Sequence, residues 1–150
     1  MEDTVQKTLD TTRIMVLLQR KYSSVREIER LTGELAQALE RNDEISANML
    51  LQMRAEEMEK ADACMEEIWQ MGETDREACA KLHTLITSDP SEAVTDDAEE
   101  HKIYEIRQKT CAILQELRIS DQRLNKRIAG KKSYYTAETE KQETRQEQTA

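Results

Sequence analysis

Between Ala47 and Ile86 the sequence repeats a helix seam with a spacing of three and four residues. The row runs Ala47, Leu51, Arg54, Met58, Ala61, Met65, Ile68, Gly72, Asp75, Cys79, Leu82 and Ile86. A mean spacing of 3.5 residues keeps such a stripe facing a neighbour along the whole helix. One helix cannot bury the stripe alone, so the chain must pack helix against helix. Composition agrees: charged residues make up 35% of the chain, with no Phe, three Gly and one Pro. So few breakers among so many good helix formers imply long helices.

The reading is an all-α protein, an elongated antiparallel three-helix bundle or coiled-coil hairpin over residues 1–130. Its helices are expected at about 4–41, 44–87 and 96–129, followed by a disordered polar tail over 131–150. At 1.5 Å per residue such helices are about 50–65 Å long. The first is expected to start at an Asp3–Gln6 capping box and to carry the seam Thr11, Ile14, Leu18, Lys21, Val25, Ile28, Thr32, Leu35 and Leu39. Leu17, Tyr22, Leu31, Ala36 and Ala38 widen that seam, as for a helix meeting two neighbours. Asn42 suits a left-handed helix end and Asp43 the cap of the next helix, so the second helix should run back antiparallel.

Gly72-Glu73-Thr74-Asp75 weakens the second helix, where it either bends or loosens its packing. Glu56–Lys60 and Glu77–Lys81 read as i,i+4 ion pairs on solvated faces. Ser88 to Asp97 forms the clear break, with one turn at Asp89-Pro90-Ser91-Glu92 and Thr95 as the cap of the third helix. That helix displays Ile103, Ile106, Thr110, Ile113, Leu114, Leu117, Leu124 and Ile128, and Gly130 is its expected stop. The tail carries Tyr134 and Tyr135 but no aliphatic residue larger than Ala, too little apolar area to order itself.

A net charge of −9 disfavours nucleic acid and anionic membrane surfaces as partners. The longest apolar run, Ile14–Leu18, is too short to span a bilayer, and no signal segment is visible, so a cytoplasmic protein without membrane insertion is expected. Cys64, Cys79 and Cys111 lack the spacing of a disulfide framework or zinc knuckle, and Cys64 and Cys79 read as buried thiols. Neither His83 nor His101 has a Glu three residues earlier, as a carboxylate-bridged di-iron site needs, and Cys79 with His83 gives too few ligands to name a metal. No phosphate-cradling loop or nucleophile motif occurs. The expectation is no enzyme, no cofactor and no metal.

Recognition of another protein remains. Met49, Met53, Met58, Met65 and Met71 are adaptable side chains, for which filling gaps inside a slender bundle is the preferred reading. The third helix spreads its apolar residues over a wide arc, part of which is left for an amphipathic partner or for a second copy.

The chain resembles the FlgN-type, and more loosely the FliT-type, flagellar export chaperones. The residues carrying the likeness are Leu18-Gln19-Arg20-Lys21-Tyr22 with Ile28 and Leu31-Thr32, and Asn42-Asp43-Glu44 with Leu50-Leu51 and Arg54-Ala55-Glu56. To these add Ile113-Leu114, Asp121, Leu124-Asn125 and Gly130-Lys131-Lys132-Ser133-Tyr134-Tyr135. The likeness spans roughly residues 5–135, while the acidic break at Pro90 and the long polar tail depart from it. It implies a cytoplasmic, non-enzymatic chaperone of a flagellar type III secretion system. The implied partners are C-terminal helices of hook-associated (hook–filament junction) or cap subunits, with the export apparatus as a further partner. The apolar arc together with the family's C-terminal placement of client contacts gives Ile106, Ile113, Leu117, Leu124, Ile128, Tyr134 and Tyr135 as partner-binding residues. The alternative is a self-associating coiled-coil scaffold, a homodimer in its simplest form.

Overall fold

A computed structural model describes the backbone of residues 9–149 and the side chains of residues 9–130. It contains four helices, α1 (Thr11–Glu40), α2 (Glu44–Gln70), α3 (Arg76–Thr87) and α4 (Ala98–Thr149), and no strand among the described residues. The chain divides into two units, Met1–Gln115 and Glu116–Ala150, with the boundary inside α4.

Helix α1 starts later than the sequence suggested. Asp3 lies outside the described residues, and Leu9 and Asp10 are not helical. The cap is Asp10, whose carboxylate accepts from the Arg13 N–H at 3.0 Å. The other end is as expected. Asn42 has φ of 56°, with Asn42 N–H donating to the Leu39 carbonyl at 3.2 Å and Asp43 N–H to that of Ala38 at 2.9 Å. This pair of bonds is a Schellman closure, with Asn42 in the left-handed position. Asp43 then caps α2 by accepting from Ser46 N–H at 3.1 Å, and the Ser46 hydroxyl together with that N–H holds its carboxyl below the usual range. Two caps in successive residues reverse the chain within three positions. At the opposite end of the hairpin Arg13 meets Glu67 at 2.7 Å, so α2 runs antiparallel to α1.

The expected second helix, 44–87, is two helices. After Gln70 the chain leaves the helix through Met71 to Asp75, and Asp75 caps α3 by accepting from Glu77 and Ala78 N–H at 3.4 and 3.3 Å. Gly72 makes this corner fit. A Cβ placed on it would lie 2.9 Å from Leu82 Cδ2 and 3.2 Å from Cys79 Cα. The break also resets the helical phase. Ala78, Leu82 and Leu85 turn inward in α3, whereas the seam extrapolated from α2 pointed to Cys79, Leu82 and Ile86. Cys79 is consequently exposed, as is Cys111, while Cys64 is half-buried.

Pro90 sits in a single turn, closed by Glu92 N–H to Asp89 O at 3.1 Å. The cap of α4 is Asp97 and not Thr95. Asp97 accepts from Glu99 and Glu100 N–H at 2.9 and 3.1 Å, and Thr95 supports it by accepting from Asp97 N–H and donating to Glu100. At its far end α4 passes through Gly130 and continues to Thr149, where a stop and a disordered tail were expected. The physical reason lies in the local composition: one glycine costs a helix interior only about 1 kcal/mol, and the Ala, Glu, Lys and Gln that follow are strong helix formers.

The core of the first unit gathers all four helices. Leu9, Ile14, Leu17 and Leu18 meet Ile68 from α2, Ala78, Leu82 and Leu85 from α3, and Ile103 from α4. Helix α1 supplies most of it and is buried along its length, through Val25, Ile28, Leu31, Leu35 and Ala38. Helix α2 buries only Ala47, Arg54, Ala61 and Ile68, one residue per heptad. The opening stripe is therefore narrow in the folded chain, and α1 is the helix with the wide buried face. Polar contacts fix the start of α4: Thr11 donates to Glu99 at 2.6 Å, Thr12 does likewise, and Lys81 reaches Glu100 at 3.3 Å. Neither i,i+4 pair read from the sequence forms. Lys60 pairs with Glu57 at 2.9 Å, and Lys81 is taken by Glu100.

Candidate functional site

Two surfaces of the first unit combine apolar side chains with solvent exposure, and of the α4 arc that the sequence assigned to a partner only Ile106 borders either of them. Along α4, Ile106, Ile113 and Ile128 are half-buried, and Leu117 and Leu124 are 7% and 6% exposed. All five share one stripe with the buried Ile103 and Thr110, whose hydroxyl donates back to the Ile106 carbonyl at 2.8 Å. Leu117 and Leu124 are thus covered, whereas Leu114 and Ile119 on the same helix are 37% and 52% exposed. The side chains of Tyr134 and Tyr135 lie outside the described residues.

The first exposed surface belongs to α2. Ile45, Met49 and Met53 stand four residues apart on one face, 81%, 58% and 40% exposed. Four-residue spacing drifts only slowly around a helix, so the three form one line beside the half-buried Leu50. Met65 and Met71 instead pack against the core, as the gap-filling reading expected. The methionines thus divide by position: those near the α1–α2 turn face solvent, those near α3 fill the core. Ile45 was missed because it lies off the heptad seam, in the first turn after the cap. Its signal was a large apolar residue two positions before the seam's first member.

The second surface is a groove of about 480 Å³ between α1 and α4. Met15, Val16 and Ile106 form its apolar part, and Gln19, Arg20, Lys102, Glu105 and Lys109 its polar margin. Here Ile106, one of the residues read from the sequence, does reach an open surface.

Deeper in the same unit a smaller cavity of about 110 Å³ is lined by Leu18, Lys21, Met65, Ile86, Arg107 and Thr110 among others. Burial lowers the pKa of Lys21, with the Arg107 charge acting in the same direction against opposing contributions from Cys111, Asp62 and Cys64. Arg107 is also lowered, chiefly by burial. Its guanidinium donates to the Leu85 carbonyl at 2.9 Å and to the Ser88 carbonyl, satisfying the open end of α3. That cation is committed to structure.

Among the described residues no group of three or more His, Cys, Asp or Glu side chains comes together to hold a metal ion, and no described helix is long and apolar enough to cross a membrane. What the arrangement offers chemically is apolar helical surface with a defined charge pattern. No protein family, curated protein or solved structure matches the chain.

Proposed function

We propose that this chain is a non-enzymatic carrier of amphipathic helices. On the resemblance of its sequence, we place it as a cytoplasmic export chaperone of a flagellar type III secretion system. Its clients are the C-terminal helices of hook–filament junction or cap subunits, which polymerise when left exposed. In this reading the chain is an antiparallel bundle with a coiled-coil seam between α1 and α2. The observation that carries the proposal is the exposed line Ile45, Met49 and Met53, an apolar strip at helical spacing on an otherwise charged protein. Helix-in-groove recognition uses such i, i+4 anchors, and methionine adapts to clients of different shape. The net charge of −9 supports solubility while the strip is empty.

Calorimetry of the full chain against C-terminal fragments of junction and cap subunits tests this. The expected result is a one-to-one complex that the Ile45→Asp, Met49→Asp double variant loses while keeping its helical circular dichroism. Absence of binding to every such fragment by the folded protein refutes the client class.

The same strip suits a second copy of the chain, which is the scaffold reading. Light scattering separates the two: a concentration-dependent dimer that Ile45→Asp dissolves favours the scaffold, and a plain monomer removes it.

A further inference from the structure

The groove between α1 and α4 differs from the α2 strip in one respect: it is rimmed by positive charge on a strongly acidic protein. Arg20 projects from α1, and Lys102 and Lys109 from α4, around Met15, Val16 and Ile106. None of these three cations makes an ion pair among the described residues, whereas Arg13, Arg30, Lys60 and Lys81 each pair with a carboxylate. The carboxylates near the start of α4 are spent elsewhere. Asp97 caps the helix, Glu99 accepts from Thr11 and Thr12, Glu100 pairs with Lys81, and the groove's own Glu105 lies 3.5 Å from His101. These contacts hold the carboxylates of Asp97, Glu99 and Glu100 at the start of α4, and the groove's own lining sets three cations against the single carboxylate of Glu105.

The spacing of the cations is specific. Lys102 and Lys109 are seven residues apart on one helix, two turns or about 10 Å. That is the repeat at which flanking charges of one helix meet those of a parallel or antiparallel neighbour in a coiled coil. The apolar floor between the rims lies where a neighbour's apolar stripe would rest. From the charge and the spacing together, the geometry points to an acidic amphipathic α-helix of another protein as the occupant of this groove. Its apolar stripe covers Met15, Val16 and Ile106, and its Glu or Asp side chains at heptad spacing pair with Lys102, Lys109 and Arg20. This site is distinct from the α2 strip and stands whether or not that strip carries clients.

The test uses the full chain and a synthetic 21-residue helix with Leu at the two seam positions of each heptad and Glu at the flanking ones. Its partner probe is the same peptide with Lys in place of Glu. Fluorescence anisotropy should show binding of the acidic peptide that weakens as salt rises, and little binding of the basic one. A Lys102→Glu, Lys109→Glu variant, checked as folded by circular dichroism, should weaken the acidic peptide roughly tenfold or more and gain affinity for the basic one. The Ile45→Asp, Met49→Asp variant should bind both peptides as the parent does, which separates failure here from failure of the carrier proposal. Equal binding of the two peptides, or no effect of the lysine reversal, overturns the assignment. Saturation of the groove by dodecanoate with no binding of the acidic peptide overturns it in favour of a small anionic amphiphile. A dimer of the chain that the lysine reversal dissolves overturns it in favour of a second copy.

Discussion

At the scale of single residues, the corner at Gly72 is where the chain tolerates least. A methyl group there meets Leu82 Cδ2 at 2.9 Å and the Cys79 backbone at 3.2 Å. Leu82 is a fully buried member of the core and has little room to give way. Gly72→Ala should cost about 1–3 kcal/mol, the usual range for overpacking, read as a lower midpoint in urea with an unchanged slope. Gly33, with nothing within 4 Å of an added Cβ, serves as the control; Gly33→Ala in the middle of α1 should stabilise the chain by about 0.5–1 kcal/mol. Lys21 gives a pH-dependent counterpart. Its pKa in the folded chain lies below the ordinary 10.5, so between the lowered value and 10.5 the unfolded chain binds more protons. Stability rises with pH through that window, and below it the penalty is present in full. Lys21→Met should therefore raise the melting temperature at pH 7. The gain, of order 0.5 kcal/mol for an ammonium still in partial contact with water, should shrink as pH approaches 10.5. A gain independent of pH would assign the effect to packing alone.

At the scale of elements, α3 is the part most dependent on its surroundings. Twelve residues are too few for a helix that stands alone in water. It is held by the Asp75 cap at one end, by Arg107 across the carbonyls of Leu85 and Ser88 at the other, and by Ala78, Leu82 and Leu85 beneath. Asp75→Ala should cost about 1 kcal/mol, as N-cap losses do. Arg107→Ala should cost more, because it strips the carbonyls of their donor and opens the small cavity lined by Lys21 and Ile86. Hydrogen exchange should show both losses first in the amides of α3, with α1 protected until global unfolding. Uniform acceleration across all helices would mean that α3 is not a separately opening unit.

At the scale of the molecule, the first unit is organised around α1, which is buried through nearly every turn while α2 is buried through one residue per heptad. Truncations along α1 should be correspondingly severe. Ile14→Ala should cost about 2–5 kcal/mol, since Ile14 is fully buried where all four helices meet. Met49→Ala on α2 should cost under about 0.5 kcal/mol. Chemical denaturation of the two variants compares them directly. An exposed residue that matters little to stability and much to binding marks a recognition surface, so Met49→Ala is also the variant in which client affinity and folding separate.

The sequence by itself determined the all-helical class, the α1–α2 turn and the cap at Asp43, since each depends on residues within a few positions of one another. Asn42 in a left-handed conformation followed by a capping Asp is a local event, and a periodicity of 3.5 needs no partner to be recognised. The break at Gly72 was visible as a weakness but not as a corner, because what turns the chain is the close approach of Leu82 and Cys79 to a glycine. Beyond that point helical phase decided everything: the stripe that opened the reading ran on to Cys79 and Ile86, while the corner rotated Ala78 and Leu85 inward. The stripe on α4 was read correctly as apolar; Leu117 and Leu124 within it are buried while Ile106 borders an open groove, since periodicity shows that a face must be covered and not by what. Tertiary structure alone decided which side of α2 met solvent, and which cations lost their partners to leave a charged groove beside Ile106. Those outcomes rest on neighbours distant in sequence, and burial and charge pairing are properties of neighbours.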